Sequence, residues 1–253
     1  MLRLSGVLFC ILLTACQPDT TAPAANALAL QLQFAGKPLG CSDDIALAGT
    51  DWRIQQLQFY LADFAVDGQP QPLQADGIYQ QEDLALAGSV CDGNDNWQLR
   101  FKQPLPAGTL QFTLGVPAQL NHQDPLLAKP PLNQSELFWS WQQGYKYLRL
   151  DLQAKAHNTA SVSGGWSLHL GATGCQSPSP LRAPASPCLA ANLARISLTY
   201  KPGQTLQLDL APLLQGLTPA ADNHCMADPN RKSCQLLLPR LGLGAQQQIW
   251  SLQ

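Results

Sequence analysis

Apolar and polar residues alternate with period two in eight short stretches of the chain, at 30–34, 54–60, 97–101, 110–114, 147–152, 166–170, 196–200 and 205–210. A strand with one face on a core and the other toward water gives this pattern, because successive side chains leave opposite faces. Turn residues punctuate the stretches: Asp67-Gly68, Pro106-Ala107-Gly108, Gly164-Gly165 and Lys201-Pro202-Gly203. Helical spacing is confined to short candidates at 80–87, 133–138 and 211–215. Many short strands separated by Gly and Pro predict an all-β domain, an antiparallel sandwich or barrel-like structure with long disulfide-stapled loops and few short helices. No internal repeat interrupts it.

The amino terminus breaks the pattern. Arg3, an apolar run over 7–13 and Leu13-Thr14-Ala15-Cys16 have the order of a bacterial lipoprotein signal. The run is too short to span a bilayer but suits a cleaved secretory segment. Residues 1–15 are therefore expected to be removed, leaving Cys16 as the lipidated first residue of a protein anchored at the periplasmic face. Gln17 after the cysteine favours the outer membrane. Residues 16–29 are mostly small and polar, too poor in bulky apolar groups to offset the entropy of ordering, and read as a tether. The remainder, 30–253, is expected to form one domain.

Net charge is −2 and no basic run occurs, so a nucleic-acid partner has no electrostatic footprint here. Of eight cysteines, Cys10 goes with the signal and Cys16 to lipid. The remaining even number, in an exported chain, predicts disulfides. Cys175 and Cys188 bracket a Ser/Pro-rich loop, Cys225 and Cys234 bracket a short one, and Cys41 and Cys91 are left to pair. No two cysteines have the close spacing of a thiolate metal site.

Hydrolytic chemistry finds no support, since the chain contains no Gly-x-Ser-x-Gly elbow. Asp43-Asp44 and Glu82-Asp83 read as solvated pairs. Asp92-Gly93-Asn94-Asp95-Asn96 crowds oxygen ligands into a turn, but lacks the spacing of a full calcium loop. Four histidines remain as candidate transition-metal ligands. His122 lies in a loop after a strand, and His169 sits between Leu168 and Leu170 on a strand. His157 and His224 are flanked by loop residues, although His224-Cys225-Met226 sets an imidazole beside a thioether, a pair suited to copper(I). The segment Phe138-Trp139-Ser140-Trp141 concentrates rings, and period two predicts Trp139 and Trp141 on one face with Phe138 and Ser140 on the other. Indole is a donor only, so tryptophan as such cannot ligate a metal.

Several ordered blocks carry a family resemblance. They include Gly115-Val116-Pro117, Leu120-Asn121-His122, Pro130-Pro131-Leu132-Asn133, Phe138-Trp139-Ser140-Trp141-Gln142-Gln143-Gly144-Tyr145-Lys146-Tyr147, His169-Leu170-Gly171-Ala172-Thr173-Gly174-Cys175 and Cys225-Met226. In these blocks the chain resembles the MbnP-like periplasmic copper-binding proteins, the four-Cys-motif member of a metallo-mystery pair. Ala118 stands where the family has an aromatic, and the segment around Leu86 to Ser89 lacks an acidic-aromatic run.

The resemblance implies a mainly β protein, not itself an enzyme, that binds one copper ion, expected as Cu(I), for storage, delivery or uptake. It also implies a partner, a MauG-like diheme c-type cytochrome, that oxidises a tryptophan to kynurenine. By position, His122 and His169 are the expected copper ligands and either Trp139 or Trp141 the modified residue. Two other readings stay open: a copper redox protein acting catalytically with the diheme partner, and a metal-free, disulfide-stapled structural lipoprotein.

Overall fold

The computed structural model describes residues 25–155 and 164–253. The expected signal and lipidated Cys16 lie outside the described residues, as does His157. The backbone folds into two sheets with two short α-helices, a sandwich-like all-β architecture. In the larger sheet the central path runs Ala194–Tyr200, Gly108–Leu114, Thr50–Val66, Gly144–Ala154, Gly165–Gly171 and Cys225–Met226. Leu84–Val90 also pairs with Thr50–Val66, which spans 17 residues and carries three long neighbours. The smaller sheet runs Trp250–Leu252, Leu206–Asp209, Ala27–Phe34 and Lys37–Pro38, with Gln98–Arg100 pairing with Ala27–Phe34 as well.

All eight alternating stretches are strands, and their apolar faces meet in one contiguous core that includes Leu28, Trp52, Phe59, Tyr60, Leu150, Trp166 and Leu208. Burying side chains of this size stabilises the fold by ~1.5–3 kcal/mol each, before the entropy of ordering is subtracted. The turn at Asp67-Gly68 has φ of 48° and 76°, a left-handed pair that closes a tight hairpin onto Gln69–Pro70.

Several features differ from the sequence expectation. Residues 27–29, expected to belong to the tether, start the strand Ala27–Phe34, with Leu28 fully buried in the core, so the domain begins earlier than position 30. The sheets are mixed: Ala27–Phe34 runs parallel to Leu206–Asp209, and Gly165–Gly171 parallel to Cys225–Met226. The helix expected at 80–87 is a hairpin of Gln80–Gln81 and Leu84–Val90. Its Ala, Leu and Gln residues favour helix, but Leu84 to Ser89 are all buried against Thr50–Val66, and tertiary packing overrides propensity. The other two candidates hold, as a 3-10 turn at Ser135–Leu137 and an α-helix at Leu210–Leu214. A further helix, Lys232–Arg240, has Pro239 in its last turn and was not expected. The three disulfides are Cys41–Cys91, Cys175–Cys188 and Cys225–Cys234, as the loop contexts indicated.

Candidate metal centre

The loop that carries His122 is tied down from the core. Tyr60 Oη donates to the Pro131 carbonyl at 3.1 Å, and Tyr145 Oη donates to the Leu132 carbonyl at 2.5 Å. Buried Asn121 accepts from the Tyr145 amide at 2.9 Å through Oδ1. Gly144 closes the turn before that amide with φ of 78°, and a Cβ there would meet the Asn121 carbonyl at 2.3 Å, so only glycine fits. His122 is thereby held on the Trp141 backbone: its Nδ1 lies 3.1 Å from the Trp141 carbonyl. A carbonyl only accepts, so Nδ1 carries the proton and Nε2 keeps a lone pair. That Nε2 lies 3.3 Å from Asn121 Nδ2 and 3.8 Å from Cys188 Sγ.

His122 Nε2 and the sulfurs of Cys175 and Cys188 fall within 4.8 Å of one another, yet both sulfurs are spent in their mutual bond and offer no thiolate. Beside them lies a largely apolar cavity of about 230 Å³ lined by Val116, Tyr147, Ala172, Pro187 and Leu193. Burial pushes the His122 pKa below its usual value, against the raising effect of the Trp141 carbonyl, and keeps the imidazole neutral.

His169 occupies a different neighbourhood, on the Gly165–Gly171 strand. Its Nε2 lies 2.9 Å from Asp151 Oδ1, and Asp151 Oδ2 accepts from Arg149 Nε at 2.6 Å. Burial alone would raise the Asp151 carboxyl, but hydrogen bonds from His169 and Ser167, the charge of His169 and the Arg149 bond outweigh it. They hold it well below the usual carboxylate range. An ionised carboxylate only accepts, so Nε2 donates to it and Nδ1 is the ring nitrogen left for a metal. Carboxylate, imidazole and open nitrogen form the arrangement that orients metal-bound histidines. Asp151 was visible in the alternating 147–152 stretch, two residues from Arg149, but its partnership with His169 needs the strand register.

The Trp139 ring stands 6.3 Å from the His169 ring, centroid to centroid. It packs over Gly171, where a Cβ would approach Trp139 Cζ3 to 2.6 Å. Trp141 does not share that face. The pairing of Phe138–Ser140 with Gly144–Ala154 shifts register between Phe138 and Ser140, and Trp141 falls in the following turn. Its ring meets Phe138 edge-on at 5.7 Å, so the expectation of one tryptophan face is corrected by a bulge that breaks period two.

The tryptophan segment thus touches both histidines, Trp139 by its ring and Trp141 by its carbonyl. His122 and His169 share no hydrogen-bond partner among the described residues. His224 is committed elsewhere, its Nδ1 accepting from the Ser167 amide at 2.9 Å. The acidic turn at Asp92 to Asn96 is a hairpin in which Asn96 Nδ2 caps the Leu86 carbonyl, an ordinary turn role. His122 and His169, each with one ring nitrogen oriented by a hydrogen bond, are nitrogen donors of the kind that suits a soft or borderline metal ion.

Comparison with known proteins agrees with this architecture. No curated protein sequence matches the chain. Among solved structures it is similar to MbnP from Methylosinus trichosporium, with a TM-score of 0.73 and 20% identity over 89% of this chain and 96% of that one. At that identity the likeness establishes the fold. A family model described as MbnP matches residues 24–227, most of the chain and every residue of the candidate centre, and the chain therefore belongs to the MbnP family.

Proposed function

We propose that this chain is a copper-binding protein whose site is built around the Phe138–Ser140 strand, with His169 and His122 as imidazole donors. Trp139 is the side chain oxidised to kynurenine by a diheme c-type cytochrome. The observation that carries the reading is the packing of the Trp139 ring beside His169, whose Nε2 is held by Asp151. An indole packed beside an imidazole is one modification short of a second donor at that place. Cleaving the bond between the two pyrrole carbons takes up both atoms of dioxygen, or one oxygen from each of two hydrogen peroxides with two waters leaving. Hydrolysis of the resulting formamide then releases formate. What remains is an aryl ketone and an aniline nitrogen, both with lone pairs that indole lacks.

Bound copper would supply a Lewis-acidic, soft ion; the chain supplies imidazole nitrogen donors and the Asp151 and Trp141 hydrogen bonds that orient them. Export by the amino-terminal signal and anchoring through Cys16 would place the domain in the periplasm.

Co-expression with a diheme cytochrome tests the reading, followed by intact mass and copper content. The expected result is a mass change of one carbon lost and one oxygen gained only when the partner is present. Copper should be lost in His122→Ala and in His169→Ala. Unchanged copper in the double variant sinks the ligand assignment.

A further inference from the structure

The Cys225–Met226 strand extends the sheet beyond His169, and its register is specific. It runs parallel to Gly165–Gly171 with Leu168 opposite Cys225 and His169 opposite Met226. Opposed residues on neighbouring strands project from the same face, with backbones about 4.8 Å apart. Arg149 opposes His169 from the other side. His169 therefore has the Arg149 and Asp151 pair on one flank and Met226 on the other, while Trp139 packs beside it over Gly171.

Met226 is not there to fill the core. It is 39% exposed, whereas its neighbours Cys225 and Ala227 are fully buried. The chain contains two methionines, and the other is Met1 in the expected signal, so Met226 is the one thioether of the domain. Its position is fixed from two directions. The Cys225–Cys234 disulfide pins the strand to the Lys232–Arg240 helix, and Ser233 Oγ donates to the His224 carbonyl at 3.3 Å. A flexible, exposed apolar side chain held in register with His169 is a poor packing device and a good soft ligand.

We propose that Met226 supplies a thioether sulfur to the same copper ion as His169, making the edge of the sheet a mixed nitrogen and sulfur site selective for Cu(I). The inference rests on the copper reading above and adds a ligand at its solvent-facing side. A thioether is soft and uncharged, so it stabilises Cu(I) over Cu(II) without adding charge at the surface.

The test uses full-length protein, produced with and without the diheme cytochrome and carrying methyl-labelled methionine. Titration with Cu(I) under anaerobic conditions should shift the Met226 methyl resonance in step with binding, and copper X-ray absorption should show a sulfur neighbour. Met226→Leu, similar in volume, should keep the thermal unfolding midpoint, lose the sulfur neighbour and weaken Cu(I) at least tenfold in competition with a chelator. Copper bound with an unmoved methyl resonance and nitrogen or oxygen neighbours alone overturns the Met226 assignment and leaves the copper reading standing. Failure of the parent protein to bind copper in both preparations overturns both.

Discussion

Trp139 rests on Gly171 so closely that a single methyl group on the glycine would lie 2.6 Å from the indole. The glycine is thus the seat that lets the ring reach His169. Gly171→Ala should force the ring off this seat or strain the sheet, at about 1–3 kcal/mol, the usual cost of overpacking. Urea unfolding gives the stability loss, and co-expression with the cytochrome should give a smaller oxidised fraction than the parent. An unchanged yield would mean that the ring's contact with Gly171 does not set its reactivity.

Asp151 acts on His169 by holding a proton on Nε2. Asp151→Asn keeps the shape but removes the charge, and its amide can present a donor to the ring and release the tautomer. Loss of such a partner typically weakens metal binding ~10–100-fold. The same substitution removes charge-assisted bonds to His169 and Arg149, for which ~1.5–3 kcal/mol of stability is expected to go. Chelator competition and chemical unfolding measure the two effects separately. A large stability loss with unaltered copper affinity would reduce Asp151 to a structural ion pair.

Much of this arrangement could be read along the chain, and what could not has a common cause. Alternation located the strands because one buried face is a local property, as at Trp166 to Leu170. Loop context likewise paired Cys225 with Cys234. The partners of His169 depend on strand order and register: Asp151 lies 18 residues away through an antiparallel pair, and Met226 through a parallel one. No local pattern encodes a parallel pairing of a two-residue strand. The Trp139 and Trp141 faces depart from period two because a bulge at Phe138 to Ser140 leaves no mark in the sequence pattern. The segment 80–87 is a hairpin despite its helix-forming residues because a neighbour distant in sequence buries them.

The depressed His122 pKa has a defined consequence for stability. Burial makes protonation less favourable in the folded protein than in the unfolded chain. As pH falls through about 6.5, the unfolded chain takes up a proton that the folded one resists until its own lower value is reached. In that window the unfolded state holds more protons, so stability declines as pH falls, and the contribution is fully present above it. Urea midpoints from pH 7.5 to 5.5 should therefore decrease. His122→Asn retains a donor for the Trp141 carbonyl and should flatten the slope. Parallel slopes in the two proteins would contradict the assignment.

The two tryptophans offer the sharpest discrimination. Trp139 faces His169 with its ring, whereas Trp141 gives its carbonyl to His122 and sets its ring edge-on against Phe138. Oxidation that creates a metal donor is expected on the ring that lies beside a candidate ligand, and the Trp139 ring lies 6.3 Å from that of His169, centroid to centroid. Trp139→Phe should abolish both the oxidised mass and the copper that depends on it. Trp141→Phe should leave the backbone bond to His122 in place and retain both, with a modest stability loss of about 0.5–1.5 kcal/mol from the weakened contact with Phe138. Peptide mapping of the co-expressed parent protein locates the modification directly, and kynurenine at position 141 would reverse the assignment.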